Sequence, residues 1–440
     1  MTANLRELFR YPSAVAGLAI LALLVALSVY AVVAIPYREA IRLWSVGEAA
    51  WPRNPRYARP EWLNWLAGGR LPRTLVVRGP QGSATERSLG SGVRELQFEL
   101  SFRYPYDRFP TELAVFVDAQ YREQAPHLEL AWRTPAGSEV SLADFSPRRR
   151  DVYRMSADAD LRARLGGAPE VVLFAAPERP RQASPGRHAL RVRAFLFEPG
   201  SSVQVELVVY GEVHGLAGTD HLRRDLTLPL LWGTPIALAF GLLAAVGSSV
   251  SSLVIAAVGA WYGGWVDGLI QRITEVNLIL PGLPILIMIG TLYSRSLWVI
   301  LGAVVLLGIF GGGVKTYRAL FLQVREAPYV EAARAYGVRD LRMVAIYLVP
   351  RAVPVLLPQF VTLIPGFVFL EATLALLGLG DPVLPTWGKV IEDAQRAGAL
   401  YVGHAYWVLE PAFLLMLSGL AFTLLGFALD RVFNPRLREL

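Results

Sequence analysis

Cysteine is absent from all 440 residues, which excludes a disulfide framework, a thiol nucleophile and a cysteine metal site. Lysine occurs only at Lys315 and Lys389, so nearly all positive charge is arginine. The five histidines, His127, His188, His214, His221 and His404, are scattered with no helix-face or loop spacing that implies a metal. Only His214 and His221 flank one turn, and each histidine reads as a surface or packing residue. A Gly-x-x-x-x-Gly-Lys-Ser/Thr phosphate loop is also missing. Gly311-Gly312-Gly313-Val314-Lys315 lacks its spacing and its hydroxyl, and it closes an apolar run. No catalytic constellation stands out, so the chain is expected not to be an enzyme or to bind a cofactor itself.

What is present in quantity is apolar surface. Hydrophobic residues make up 54% of the chain against 18% charged, and the mean hydropathy is +0.39. A soluble protein of this charge content is not so apolar, and the composition implies a membrane protein. Apolar runs lie at Ser13 to Ile35, Leu226 to Ala260, Val276 to Ser294, Leu297 to Val314, Ala352 to Leu379 and Tyr406 to Leu429. Each is close to the ~20 residues that cross a bilayer as a helix. No small-residue cleavage site precedes Tyr37-Arg38-Glu39, so the first run is expected to be a retained crossing rather than a signal peptide.

Six crossings put both termini on one side, and arginine says which. One set of short loops holds Arg6, Arg10, Arg272, Lys315, Arg318, Arg325, Arg334, Arg339, Arg342, Arg351, Arg431, Arg436 and Arg438. The other set holds only Arg295, Lys389 and Arg396. Both termini are therefore expected in the cytoplasm. The same bias accounts for the net charge of +7 without a nucleic-acid partner.

Between the first two runs, about residues 37–212 are of a different kind. Short alternating segments appear at Thr74–Val77, Leu96–Phe102, Leu113–Val117, His127–Trp132, Val171–Phe174, Leu190–Phe197 and Val203–Tyr210. Period-two alternation broken by Pro, Gly and Asp reads as half-buried antiparallel strands, and this number of them suggests a β-sandwich outside the cytoplasm. Two segments read as helices: Glu61 to Ala67, whose Trp62 and Trp65 suit a membrane surface, and Met155 to Leu165. For both, packing on the sandwich is an equal reading. The predicted organisation is residues 1–36 as terminus and first crossing, 37–212 as the β-rich domain, and 213–440 as a five-helix core with a cytoplasmic loop at 315–351.

That loop contains a polar island, Tyr329-Val330-Glu331-Ala332-Ala333-Arg334-Ala335-Tyr336-Gly337, with Pro350 thirteen residues beyond Gly337. Its alanines favour helix, Glu331 suits the first turn, and Gly337 can take the left-handed conformation that ends one. Asp340 is expected to cap a second helix through Leu341, Met343, Val344 and Ile346, which Pro350 interrupts or kinks. Two short helices at an elbow form a knob, with small residues for close approach, Tyr329 and Tyr336 as anchors and Glu331 and Arg334 for pairing. Composition alone favours a solvated loop with a glycine turn, whereas the spacing and the membrane context favour docking.

The chain resembles the membrane permease subunits of dipeptide, oligopeptide and nickel ATP-binding-cassette importers, in particular the second of their two paired permeases. The likeness is loose over residues 1–37 and close over 211–440. Besides the Glu331 to Pro350 segment, it rests on Gly218-Thr219-Asp220 with Arg224-Asp225, and on Tyr262-Gly263-Gly264-Trp265-Val266-Asp267. Leu377-Gly378-Leu379-Gly380, Pro385-Thr386-Trp387-Gly388 and the tail Asn434-Pro435-Arg436-Leu437 complete it. Arg223 stands where the family usually has glycine, and relatives usually have a short linker in place of the β-rich block.

The resemblance implies a six-helix inner-membrane permease with an extracytoplasmic insertion, forming half of a pathway for peptides or similar solutes. It implies two ATPase subunits that bind ATP and magnesium, a second homologous permease and an extracytoplasmic substrate-binding protein. Coupling to the ATPases would fall to Tyr329, Glu331, Ala332, Ala333, Arg334, Tyr336, Gly337 and Pro350; substrate-binding residues are not legible. A self-contained secondary transporter would explain the crossings but not the elbow, and a membrane-anchored receptor would explain the β-rich block but needs one anchor. Within the crossings, Pro281, Pro284, Pro365 and Pro411 either line moving cavities or are simply tolerated. Glu371 is a functional candidate by its cost in lipid, although its place also suits a structural hydrogen bond. Ser248, Ser249, Ser251 and Ser252 read as small residues that let helices approach.

Overall fold

Proline sets both ends of the first long helix. Pro12 opens α1 (Pro12–Ala34), where its missing N–H costs nothing, and Pro36 disfavours helix at the residue before it. The computed structural model describes residues 9–66, 68–69, 71–80, 84–90, 92–176 and 179–433. Arg6, Ala67, the tail motif Asn434-Pro435-Arg436-Leu437 and Arg438 lie outside them. The described chain forms two compact units, one from Met1–Ser45 with Leu228–Leu440 and one from Val46–Thr227. The boundary expected at 36/37 shifts because α2 (Tyr37–Ser45) is amphipathic, burying Ala40 and Trp44, with the Tyr37 ring 5.6 Å from that of Trp232. The boundary expected at 212/213 shifts because residues 213–225 pair with 58–73, as in the bridge of Val213 to Arg59 and Arg73.

The Val46–Thr227 unit is built from antiparallel strands. After the single helical turn α3 (Leu63–Leu66) come β1 (Leu75–Gly79), β2 (Thr85–Gly90), β3 (Val93–Tyr104), β4 (Glu112–Gln120), β5 (His127–Arg133), β6 (Glu139–Phe145) and β7 (Arg150–Arg154). Two short helices, α4 (Ala159–Leu165) and α5 (Pro169–Val172), precede β8 (Ala175–Ala176), β9 (Arg179–Ala183), β10 (Gly186–Leu196) and β11 (Ser202–Tyr210). One sheet runs β1-β11-β4-β7, the other β2-β3-β10-β5-β6, and β8-β9 form a small pair. Alternation decides which face is inside: β5 buries Leu128, Leu130 and Trp132 and leaves the intervening residues half out. These meet Phe98 and Leu100 of β3 and Val115, Val205 and Leu207 of the other sheet in one core.

Val171–Phe174 is not the strand its apolar run suggested. Pro169 opens a helical turn there, and a short apolar run carries no period that separates strand from helix. The Met155 segment is helical as anticipated, with Asp158 capping α4 through Asp160 and Leu161 N–H.

At the root of this unit the chain entering it meets the chain leaving it. Glu48 accepts from Arg56 (2.7 Å), Arg154 (2.8 Å) and Arg223 (3.2 Å). Arg223 is buried, stacks 4.6 Å from the Tyr210 ring centroid, pairs with Glu112 and donates to the Asn54 carbonyl (2.8 Å). Its φ is +63°, in the left-handed region that favours glycine. The residue type usual at this position therefore fits the backbone, and here an arginine bears the strain while its side chain staples the insertion shut.

Burial pushes the Glu48 carboxyl up, but hydrogen bonds from Arg56, Arg154 and Arg223 outweigh it and bring its pKa to about 2. A carboxyl depressed on folding contributes stability above its ordinary value of 4.5 and loses that contribution as pH falls toward 2. Glu48→Gln is accordingly expected to remove part of the acid sensitivity of this unit between those values, read as protease resistance against pH. An unchanged acid profile would refute the assignment.

The remaining helices belong to the other unit: α6 (Thr227–Tyr262), α7 (Gly264–Ile279), α8 (Gly282–Leu292), α9 (Leu297–Ile309), α10 (Gly312–Arg325), α11 (Pro328–Ala335), α12 (Asp340–Arg342), α13 (Val349–Leu374), α14 (Trp387–Arg396) and α15 (Tyr406–Phe433). Among the described residues, α1, α6, Leu356–Leu379 and Tyr406–Val432 are each long and apolar enough to cross a bilayer. The expected continuous run Val276 to Ser294 is instead broken at Leu280-Pro281, where α7 and α8 bend by 75°. Leu297 to Val314 is likewise divided, α9 and α10 meeting at 41° across Phe310-Gly311. Proline at 281 cannot continue a helical hydrogen-bond ladder, and glycine at 311 costs helix more than most residues. Two of the α6 serines act as expected of small residues: Ser252 Oγ donates to the Gly308 and Ile309 carbonyls (2.9 and 3.0 Å), and Ser248 packs where a Gly308 side chain would stand.

Candidate functional site

The polar island folds as an elbow. Pro328 supplies the first turn of α11, Glu331 follows near the positive end of its dipole, and Gly337 closes it at φ +74°. Val338 N–H reaches the Ala333 carbonyl (3.2 Å) and Gly337 N–H the Arg334 carbonyl (2.9 Å), the paired bonds of a Schellman closure. Val338 packs on the same core as Ala333, which completes the motif. Asp340 does not cap the second helix. It is the first residue of α12, and its carboxylate accepts from Trp261 Nε1–H at 3.0 Å. The chain then widens into a π-helical turn at Met343–Leu348 and continues as α13, with Pro350 in the first turn. A wide turn is where the missing proline N–H is absorbed without breaking the helix.

The eight expected coupling residues divide by face. Glu331, Ala332, Arg334, Tyr336, Gly337 and Pro350 are exposed, Tyr336 at 88%. Ala333 is buried and Tyr329 half-buried, so they back the knob rather than present it. Leu341, expected only as part of the second helix, is 73% exposed and adds an apolar point to this surface.

The support behind the elbow comes from the far end of α6. The Arg334 guanidinium lies 4.7 Å from the Trp261 ring centroid, while the same indole donates to Asp340. One side chain thus holds both arms. Arg325 Nη1 donates to the Ala260 carbonyl (2.8 Å), and Arg318 grips Asp267 with bonds of 2.7 and 2.5 Å, tying α10 to the end of α6 and to α7. Arg351 lies 5.0 Å from the Tyr329 ring centroid, fixing α13 to α11. The glycine turn after Trp261 has Gly263 and Gly264 at φ +61° and +51°. Trp261 is thus one of the contacts, with Arg325 on the Ala260 carbonyl, that link the end of α6 to this layer. Nothing in the sequence singled Trp261 out, because a tryptophan ending an apolar run reads equally as a bilayer-surface residue.

At the opposite end of α6, Trp387 Nε1–H donates to the Leu230 carbonyl (3.0 Å), and the ring fills the space a side chain at Gly233 would need. Thr386 caps α14 by accepting from Lys389 N–H (3.1 Å), and Glu371 is buried with its carboxylate beside Gly388.

The elbow lies inside the segment that a family model matches. Residues 239–439 match the binding-protein-dependent transport system inner membrane component. A dipeptide transport system permease protein, DppC, of Alkalihalophilus pseudofirmus is 30% identical over 227 residues, 50% of this chain and 72% of that protein. A putative peptide transport system permease protein of Brucella suis is 32% identical over 243 residues, 54% of this chain and 79% of that protein. A peptidoglycan transport system permease protein, YejE, of Agrobacterium fabrum is 34% identical over 223 residues, 50% of this chain and 56% of that protein. The chain belongs to this permease family. It is a permease subunit of an ATP-binding-cassette importer, a multi-pass inner-membrane protein without an ATPase site of its own. ATPase and substrate-binding partners follow from that membership. The secondary-transporter and receptor readings find no support in it.

Proposed function

We propose that this chain forms half of the pathway of an importer for peptides or similar small solutes. Two partner ATPases would bind and hydrolyse ATP with magnesium, and a second, homologous permease would complete the pathway. Similarity to permeases named for dipeptide and peptide transport supports the substrate class. Counting α7–α8 and α9–α10 as broken crossings gives six with α1, α6, α13 and α15, and an even number returns both termini to one side. The arginines at 318, 325, 334, 339, 342 and 351 make that side the cytoplasm. The unit Val46–Thr227, inserted between the first and second crossings, then lies outside, where a substrate-binding protein arrives.

The observation that carries the proposal is a knob with Glu331, Ala332 and Tyr336 exposed and both its arms fixed to α6 through Trp261. A chain without cysteine makes the test clean. Tyr336→Cys, labelled with a photoactivatable maleimide in the assembled complex, is expected to cross-link to the ATPase from the cytoplasmic face. A label that reacts only from the opposite face, or that never links to the ATPase, would overturn the reading.

A further inference from the structure

We propose that the Val46–Thr227 unit rests on the bilayer through an apolar patch at its root, formed by Trp62, Trp65, Leu66 and Leu216. The last three are 86%, 81% and 74% exposed. Large apolar side chains so open to water, side by side, mark an interaction surface. They are one patch: Trp62 Nε1–H donates to the Leu216 carbonyl (3.1 Å), and Glu61 N–H to the Gly215 carbonyl (2.9 Å).

The position of the patch within its own unit says what covers it. Leu226 N–H bonds the Gly218 carbonyl (3.1 Å), so Leu216 sits two residues from the point where the chain passes into the long apolar helix α6. The segment carrying the tryptophans continues from residues 57 and 58, which bond Asp220 and Thr219 on the same outgoing segment. The incoming chain is held there as well, with Glu48 on Arg223 and Gly47 beside Leu222. Both covalent connections to bilayer-crossing helices therefore leave from the end that bears the patch.

The chemistry agrees. Tryptophan and leucine flanked by arginine suit the headgroup boundary, where the ring or chain sits in the apolar layer and the guanidinium reaches water and phosphate. Arg59 and Arg73 both pair their backbone with Val213, three residues before Leu216, and are exposed, Arg73 also meeting Glu61 at 3.1 Å. A protein partner could cover the same residues, but no such partner need lie at the point where the chain enters lipid.

The absence of cysteine allows single-site labelling. Trp65→Cys and Leu216→Cys would each carry a fluorophore in the full-length chain, reconstituted in vesicles of phosphatidylcholine and phosphatidylglycerol. Leu89→Cys, exposed on the edge strand β2, serves as the control. Labels at 65 and 216 are expected to lose emission to lipids bearing a nitroxide near the headgroup and to resist an aqueous quencher, with the reverse at 89. Quenching at 65 and 216 from water alone overturns the proposal. So does shielding that appears only when the binding protein or another subunit is added, since that identifies a protein occupant. Access to lipid is read on either face, so the result does not depend on the sidedness of the unit.

Discussion

Gly337→Pro is expected to abolish transport while the chain still reaches the membrane. Proline holds φ near −65° and has no N–H, whereas this position needs +74° and donates to the Arg334 carbonyl. The Schellman closure cannot form, and the exposed knob loses its shape while the apolar helices that direct insertion are untouched. A graded series separates shape from simple destabilisation. Gly337→Asn, which tolerates the left-handed conformation, should transport nearly as wild type, and Gly337→Ala should cost about 1 kcal/mol, a several-fold effect at most. Glu331→Lys supplies the complementary case. Its side chain is exposed, and reversing a charge beside a helix N-terminus, which loses one favourable interaction and adds one unfavourable one, costs the fold only about 0.6–2 kcal/mol. Loss of transport in that variant would therefore report on docking. Uptake into vesicles, with membrane levels and ATP hydrolysis measured in parallel, decides the matter: normal uptake by Gly337→Pro would remove the elbow from the coupling route.

Legibility followed the range over which each feature is encoded. The elbow was readable because its signals are local: alanines, a glycine at the closing position, and a proline at a fixed distance. The crossings were readable as apolar mass, but the breaks at Leu280-Pro281 and Phe310-Gly311 were not. Proline and glycine occur in straight membrane helices too, and packing decides whether a bend is used. In the β unit, the central strands β3, β4, β5, β10 and β11 alternate because one face is buried. Edge strands β2 and β7 present little apolar surface, β2 being exposed throughout, and so left no period to detect. Arg223 was noticed only as an oddity. Its meaning lies in partners far away in sequence, Glu48, Asn54 and Glu112, which no local pattern records. Trp261 is hidden for the same reason, since Arg334 and Asp340 come to it from a different part of the chain.

Trp261→Ala is expected to separate ATP hydrolysis from transport although the residue lies behind the knob's exposed face. The indole is buried at the end of α6, and truncating a buried aromatic costs about 3–5 kcal/mol locally. It also leaves the Arg334 guanidinium without its ring and Asp340 without its donor. Motion of α6 could then slip past the elbow instead of carrying it, so the assembled complex should still hydrolyse ATP while uptake falls by at least about tenfold, the equivalent of 1.4 kcal/mol. Trp261→Phe keeps a smaller aromatic face and removes the Nε1–H bond to the Asp340 carboxylate, worth about 1.5–3 kcal/mol, and should fall between Trp261→Ala and wild type. Asp340→Asn retains an acceptor oxygen and should transport nearly normally. The order wild type, Asp340→Asn, Trp261→Phe, Trp261→Ala in uptake at equal membrane levels is the signature of a mechanical joint. If Trp261→Ala instead lowers ATP hydrolysis and uptake in equal proportion, the residue supports the fold of the unit and the joint lies elsewhere.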